Sequence, residues 1–238
     1  MNPLNRKGDG LRAIAVVFLL IGVLFVGMIG LSEKASAQDY VGESDGPTDG
    51  YIIAADVSYP PSADSVTTTG NYLFVGQDAG ESPTYINHIY RSYISFDTSL
   101  IPDDAIIQQV TLKARSYTDL SYDDFGVQVY EADFGALLET GDFNSYSTYQ
   151  GDLLNTAGMT LGTWYSMNLR GNSIDPTGMS QFVLKSAKDN GTAPSDYEFI
   201  SFYSGDSAYA PILEVWYAQG GTSLSIVLST GAYLNSTV

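Results

Sequence analysis

The chain contains no cysteine and a single histidine, His88, among its 238 residues. The absence of cysteine excludes a disulfide framework, a thiolate nucleophile and cysteine-ligated metal or iron–sulfur centres. One histidine cannot supply a site with several imidazole ligands, and no glycine-flanked serine elbow accompanies it for a hydrolase triad. We therefore expect a non-catalytic protein. A pair of glycosidase carboxylates stays open, because a sequence does not reveal how far apart two carboxylates lie.

Positive charge is also scarce. The chain has 10 lysines and arginines against 27 aspartates and glutamates, which gives a formal net charge of −17. Such a balance disfavours a phosphate-binding surface, so we expect no nucleic-acid partner. Charged residues make up only 16% and aromatic residues 13%, a composition typical of a folded chain with a polar, β-rich surface.

The first 37 residues are predicted to be an export signal. Arg6, Lys7 and Arg12 precede an apolar run over residues 14–31, and Ala35-Ser36-Ala37 follows as a small-x-small cleavage site. The run is about 27 Å long as a helix, which also fits an uncleaved membrane anchor. The glycine-containing stretch before the run is compatible with a prepilin-like leader. Each alternative makes the remaining chain extracellular or cell-surface, with membrane contact only through an uncleaved segment.

The remainder is predicted to be a linker, residues 38–50, followed by one β-domain, residues 51–218. Val110, Leu112 and Ala114 alternate with polar residues, which indicates a half-buried antiparallel strand. Many such short runs between turn residues predict an all-β, antiparallel sandwich of jelly-roll type. The predicted strands are Tyr51–Val57, Tyr72–Gly76, Tyr90–Asp97, Ala105–Tyr117, Phe125–Ala132, Thr163–Leu169, Gln181–Lys185, Tyr197–Tyr203 and Ile212–Tyr217.

A glycine hinge, Gln219-Gly220-Gly221-Thr222, precedes a last alternating stretch within residues 219–238. Three interpretations of Ser223–Thr230 stay open. It is an unordered tail, a strand that folds back on its own domain, or a strand donated to a neighbouring subunit. Strand donation would make the protein a homopolymer, either a filament or a layer.

One stretch resembles a known family. An aromatic-Arg-x-aromatic strand containing Arg91 leads into Phe96-Asp97-x-Ser99 and then a turn at Pro102. This pattern resembles the hallmark of the DNRLRE-type extracellular domain, which is also classed as a carbohydrate-binding module. The resemblance covers roughly residues 51–217 and departs from the family over 142–168. It implies a jelly-roll β-sandwich with a binding or structural role. Further matches lie at Tyr72–Gly76, Val127–Tyr130, Tyr197–Ser204 and Pro211–Tyr217.

Sugar binding needs aromatic faces that stack on pyranose rings, with polar neighbours that fix orientation. The tyrosine-rich middle of the chain offers Tyr146, Tyr149, Trp164 and Tyr165 as candidates, although core packing explains Trp164 equally well. We therefore predict a secreted or surface protein that binds extracellular or cell-wall polysaccharide. The alternative function is a structural surface protein that assembles with itself.

Carboxylates make calcium the one ion that the composition favours. Asp119, Asp123 and Asp124 supply hard oxygen ligands within six residues, although a solvated acidic turn accounts for the same pattern. Asn190 and Asn235 each begin a glycosylation sequon. Arg91 is expected either to pair with a carboxylate or to recognise a sugar.

Overall fold

The computed structural model describes residues 37–80 and 86–219. This part of the chain is built almost entirely of antiparallel β-strands, with two short 3₁₀ turns at Thr140–Asn144 and Gly171–Ser173. The strands are β1 Ala37–Glu43, β2 Gly50–Asp56, β3 Ala63–Thr67, β4 Tyr72–Ala79, β5 Asn87–Asp97, β6 Ile106–Ser121, β7 Gly126–Ala132, β8 Tyr146–Asn155, β9 Trp164–Leu169, β10 Met179–Ser186, β11 Tyr197–Tyr203 and β12 Ile212–Ala218.

The predicted period-two alternation is present in the structure. Val110, Leu112 and Ala114 on β6 are fully buried, whereas Lys113 and Arg115 lie on the opposite side of the strand and are only partly covered. Successive side chains of a strand point to opposite faces, so this sequence pattern fixes which face of β6 packs inward. The all-β, antiparallel prediction is thereby confirmed.

The strands form a single curled sheet in the order β1-β12-β6-β11-β4-β5-β10-β7-β8. β5 is the branch point, since its first half pairs with β4 and its second half with β10. On its other side β5 pairs with β2, which in turn pairs with β3. β6 pairs with β12 along its first half and with β11 along its second. β9 also pairs with β6.

The main core lies between the β4–β11–β6–β12 branch and the β5–β10–β7–β8 branch. Phe96, Leu112, Val129, Phe182 and Phe202 come from both branches, are fully buried and belong to one contiguous cluster. Burying an aromatic or large aliphatic side chain contributes about 1.5–3 kcal/mol. The curl of the sheet therefore follows from the closure of its two branches over a shared apolar interior.

A second, smaller core covers the other side of β5 and β10. Ile52 on β2, Tyr93 on β5 and Val183 on β10 pack there with Phe143 of the first 3₁₀ turn. The Tyr93 hydroxyl donates to the Phe143 carbonyl oxygen at 2.8 Å, which fixes this turn over the sheet. This smaller core joins the β2–β3 hairpin and the β7–β8 connection to the sheet.

The structure differs from the sequence expectation at the predicted linker, residues 38–50. Ala37–Glu43 forms β1, which pairs residue by residue with β12, and the compact unit that includes every described residue begins at Ala37. The stretch has few apolar residues because β1 pairs only with β12 among the described strands and needs little apolar side-chain burial. The predicted export segment (residues 1–37, except Ala37) and the alternating stretch predicted within residues 219–238 lie outside the described residues. Over the residues that are described, no helix is long and apolar enough to cross a membrane.

Candidate functional site

Arg91 of the family-like hallmark lies in the interior. Its Nε donates to Asp189 Oδ2 at 2.6 Å and Nη2 to Asp189 Oδ1 at 3.0 Å, while Nη1 donates to the Phe143 carbonyl at 2.6 Å and to Asn144 Oδ1 at 2.8 Å. The guanidinium carbon also stacks 3.8 Å from the centre of the Phe143 ring. Burial lowers the pKa of Arg91, but the hydrogen bonds and negative charge of Asp189 raise it further, so the net shift is upward. These contacts make Arg91 an interior clamp on the 3₁₀ turn.

The other hallmark residues form the end of β5 and the turn after it. Phe96 is buried in the main core, and Asp97 follows it at the surface. Asp97 Oδ1 accepts hydrogen bonds from the Ser99 N–H at 3.1 Å and the Ser99 hydroxyl at 2.6 Å, which lower the pKa of the carboxyl. Pro102 lies in the same connection between β5 and β6, so the hallmark has a local structural explanation.

The four predicted sugar-stacking residues do not form one site. Tyr146 and Tyr149 lie on β8, each with its ring centre 5.2 Å from that of Tyr130. The Tyr149 hydroxyl donates to Asp152 at 2.7 Å, and this bond raises the tyrosine pKa to about 12. Trp164 and Tyr165 are successive residues of β9 and point to opposite faces. Tyr165 packs against the main core, whereas Trp164 is 40% exposed.

The three predicted calcium ligands each have another partner. Asp119 Oδ1 accepts from the Ser121 N–H at 3.0 Å, Asp123 lies 3.5 Å from Lys188 Nζ, and Asp124 accepts from the Thr156 hydroxyl at 3.1 Å. Within the described ranges, no three acidic or histidine side chains are grouped so that they could hold a metal ion. Calcium binding by this trio stays a prediction.

The two sequons fall in different parts of the chain. Asn190 is exposed in the turn after β10, and its side-chain oxygen accepts a hydrogen bond from the Thr192 N–H at 3.1 Å. Asn235 lies outside the described residues. Glycosylation at either position stays a prediction.

The outward side of β4, β6 and β11 carries aromatic rings that the sequence analysis did not select. Tyr72 and Phe74 alternate with buried Leu73 and Val75, so the two rings point away from the core. We call this surface the outer aromatic face. It comprises Tyr51, Tyr72, Phe74, Tyr90, Tyr117, Tyr197, Phe199, Tyr203 and Tyr209.

The rings of the outer aromatic face contact one another. Tyr72 and Tyr117 stack with their centres 4.0 Å apart, and Tyr203 lies 5.3 Å from Tyr117 and 4.9 Å from Tyr209. Mutual packing of this kind holds each ring in a fixed orientation. Tyr117 and Tyr209 nevertheless remain 40% and 42% exposed, so the face offers ordered aromatic surface to the solvent.

A cation lies among these rings. The guanidinium carbon of Arg115 is 3.8 Å from the centre of the Tyr209 ring, and its Nε donates to the Gly162 carbonyl at 2.8 Å. Arg115 forms no ion pair with any carboxylate in the described part of the chain. Trp164 is its cross-strand neighbour in the β6–β9 pair. The predicted Trp164 therefore borders the outer aromatic face rather than the Tyr146–Tyr149 pair.

An open cleft of about 430 Å³ lies where β6 ends and β11 begins, at the edge of the outer aromatic face. Tyr122 is 79% exposed at its rim, and Leu120 and Tyr197 also line it. Asp119 and Asp124 line the same cleft and supply polar groups beside the apolar surface. The cleft therefore combines aromatic rings with hydrogen-bond acceptors, the two components that a sugar site requires.

The sequence signal that could have revealed this surface is the alternation of aromatic residues in Tyr72-Leu73-Phe74 and Tyr197-Glu198-Phe199. The signal does not say that these two segments lie side by side, because β4 and β11 are far apart in the chain. No protein-family model matches the chain, and none of the curated proteins shows a significant match. The resemblance to the DNRLRE-type domain therefore stays a prediction.

Proposed function

We propose that this protein is a secreted or cell-surface, non-catalytic domain that binds extracellular or cell-wall polysaccharide. The observation that carries the proposal is the outer aromatic face together with the cleft at its edge. Exposed rings held at fixed angles stack on the apolar faces of pyranose units, and nearby carboxylates accept hydrogen bonds from sugar hydroxyls.

The position of the face supports a polymer as the ligand. The rings extend across four neighbouring strands, from Tyr90 on β5 through Phe74 on β4 and Phe199 on β11 to Tyr117 on β6. Tyr197 belongs both to the face and to the cleft. A surface of this length is suited to several successive sugar units, whereas a small ligand is usually enclosed in a deep pocket. We also propose that the curled sheet is a sandwich of jelly-roll type, which its two branches around one core support.

The test is affinity electrophoresis of the purified protein against a panel of cell-wall and matrix polysaccharides, with and without Ca²⁺. Tyr122→Ala removes an exposed ring at the rim of the cleft, so its effect on folding should be small. We expect this variant to bind the retarding polymer about two- to tenfold more weakly, since one aromatic contact contributes roughly 0.5–1.5 kcal/mol.

Two comparison variants make the electrophoresis specific. Leu100→Ala removes an apolar side chain that is 80% exposed and lies outside the face, so its affinity should equal that of the wild type. Tyr149→Ala tests the rival site on β8. Loss of binding in Tyr149→Ala but not in Tyr122→Ala would transfer the site to the Tyr146–Tyr149 pair, and no retardation by any polymer would contradict the proposal.

We propose self-assembly as a second candidate function. Among the described strands, β1 pairs only with β12, so its other edge presents unpaired backbone groups. An unpaired edge is what strand addition requires. Deletion of residues 219–238 should abolish polymers seen by electron microscopy of the full chain, whereas polymers that persist would exclude the C-terminal segment as the joining strand.

A further inference from the structure

Both tryptophans of the chain lie at the surface. Trp164 on β9 is 40% exposed, and Trp216 on β12 is 45% exposed. Tryptophan is a large apolar side chain that is highly buried on average, so two half-exposed tryptophans in one sheet are unusual. Large exposed apolar groups that share a surface mark binding sites more often than single scattered ones do.

The register of the strands places both tryptophans on the same face of the sheet. Trp164 pairs with Arg115 and Trp216 pairs with Gln109, so the two tryptophans lie on opposite sides of β6. Arg115 and Gln109 are separated by an even number of residues, and an even spacing keeps strand side chains on one face. At about 3.3 Å per residue, the two pairs lie about 20 Å apart along β6. The tryptophans therefore stand at the two ends of one long, open surface.

Polar side chains occupy the surface between the two tryptophans. The Gln109 amide donates to the Thr111 hydroxyl oxygen at 3.3 Å, and that hydroxyl donates to Asn168 Oδ1 at 3.2 Å. We call the outward side of β9, β6 and β12, from Trp164 to Trp216, the tryptophan platform. The inward residues of the same strands belong to the main core, so the platform rests on a packed interior.

The platform carries little net charge. Lys113 forms an ion pair with Glu214 between the tryptophans, and Arg115 lies beside Trp164. The neighbouring strand β1 adds the carboxylates of Asp39 and Glu43 on the same side. Two cations against three carboxylates is a near balance, whereas the whole chain has 10 cations against 27 carboxylates. A polyanion would meet unpaired carboxylates here and a lysine that is already paired, so the surface suits an uncharged ligand.

We propose that the tryptophan platform binds a neutral, extended polysaccharide that lies along β6 from one tryptophan to the other. Each indole stacks on the apolar face of a sugar ring, and the amide and hydroxyl groups between them bond to sugar hydroxyls. Because the platform is the open face of a sheet, it contacts a chain from one side only. The chain can therefore remain packed in an insoluble fibre or wall.

This inference rests on the proposed function and adds a second binding surface to it. Trp164 borders the outer aromatic face, but Trp216 lies near the end of β12, away from Tyr209, which precedes that strand. Trp216 is therefore the residue that distinguishes the two surfaces.

The first test is sedimentation of the full chain with microcrystalline cellulose and with chitin powder, two insoluble neutral polymers with extended chains. We expect the wild type to sediment with at least one of them. Trp216→Ala should weaken this binding about two- to tenfold, and Trp216→Phe, which keeps an aromatic face, should restore most of it. Leu137→Ala removes a side chain that is 69% exposed and lies outside the platform, so this variant should bind as the wild type does.

The second test is tryptophan fluorescence, which reports on the platform because both tryptophans belong to it. Trp164→Phe leaves Trp216 as the only tryptophan. Soluble oligosaccharides of the sedimenting polymer should shift the emission of Trp216 to shorter wavelength and protect it from acrylamide quenching. Protection without sugar would show that the chain itself covers the ring. An emission shift caused by protein concentration alone would assign the platform to a second copy, and either result would overturn the proposal.

Failure of this inference is distinguishable from failure of the proposed function. Absence of sedimentation with both powders, or unchanged sedimentation of Trp216→Ala, would overturn the tryptophan platform as a binding surface. Retardation by a soluble polymer that is weakened in Tyr122→Ala and kept in Trp216→Ala would still support the outer aromatic face.

Discussion

The buried carboxylate of Asp49 makes the stability of the protein depend on pH in a specific way. Asp49 is 2% exposed, and its Oδ1 accepts a hydrogen bond from the Ser95 N–H at 2.9 Å. Its pKa is about 7 in the folded protein and 3.8 without the fold. The folded state therefore holds a proton between these values that the unfolded state has already released. Stability from this group is fully present below about pH 4, falls as the pH rises toward 7, and is level above that.

The size of the effect follows from the pKa difference. One pKa unit corresponds to about 1.4 kcal/mol, so a shift of about three units costs the folded protein about 4 kcal/mol at pH 8. Asp49→Asn keeps the acceptor for the Ser95 N–H but has no charge to bury. We therefore expect the variant to be as stable as the wild type at pH 4 and about 4 kcal/mol more stable at pH 8.

The assay is urea unfolding of both proteins from pH 4 to pH 8. Asp56, Asp97 and Asp175 are surface carboxylates whose pKa values are lowered by neighbouring hydroxyl and N–H groups. Their contributions are lost as the pH falls, but they are common to both proteins and cancel in the difference. A difference in unfolding free energy that does not change with pH would refute the reasoning.

Two further substitutions test the fold. Arg91→Met should destabilise the protein by about 3–5 kcal/mol, since it leaves the buried Asp189 with Lys185 at 3.5 Å as its ion-pair partner. Thermal unfolding would measure this loss. A loss below about 1 kcal/mol would contradict the role of Arg91 in holding the 3₁₀ turn. Gly76→Ala should lower the free energy of unfolding by about 1–3 kcal/mol, because Gly76 has φ +137° and a Cβ there would overlap the Glu198 carbonyl. Gly141→Ala, in open space, should leave Tm unchanged, and equal effects at both glycines would refute this argument.

The strands that alternate strongly could be predicted from the sequence. Ala105–Tyr117 was predicted and β6 extends over Ile106–Ser121, and the predicted Tyr90–Asp97 lies within β5. Alternation identifies such strands because one face of each is buried in a core. The jelly-roll topology does not follow in the same way, since strand order depends on contacts between distant segments.

Other strands lack the regular alternation of apolar and polar residues from which a strand can be predicted. β1 has few apolar residues because it pairs only with β12 among the described strands, and β3 is short. β8 pairs with β7 through several register shifts, so its side chains do not alternate regularly. These irregularities explain why the sequence predicted no strand between Ala132 and Thr163, where β8 lies.

The candidate site was predicted only in part. Trp164 borders the outer aromatic face, but Tyr165 points into the core because adjacent strand residues face opposite ways. Tyr72, Tyr117 and Tyr203 come from three different strands, and only the pairing of those strands brings the rings together. Likewise, the burial of Asp49 depends on a loop more than 150 residues away in the chain, which no local pattern reveals.

The most direct measurement of the central claim is a tyrosine nitration footprint with each polysaccharide of the panel. Tyr117, Tyr122, Tyr209 and Tyr149 are all substantially exposed in the free protein, and Tyr149 alone lies away from the proposed site. The account predicts that one polymer protects Tyr117, Tyr122 and Tyr209 from nitration and leaves Tyr149 reactive. Protection of Tyr149 alone, or of none of the four by any polymer, would contradict it.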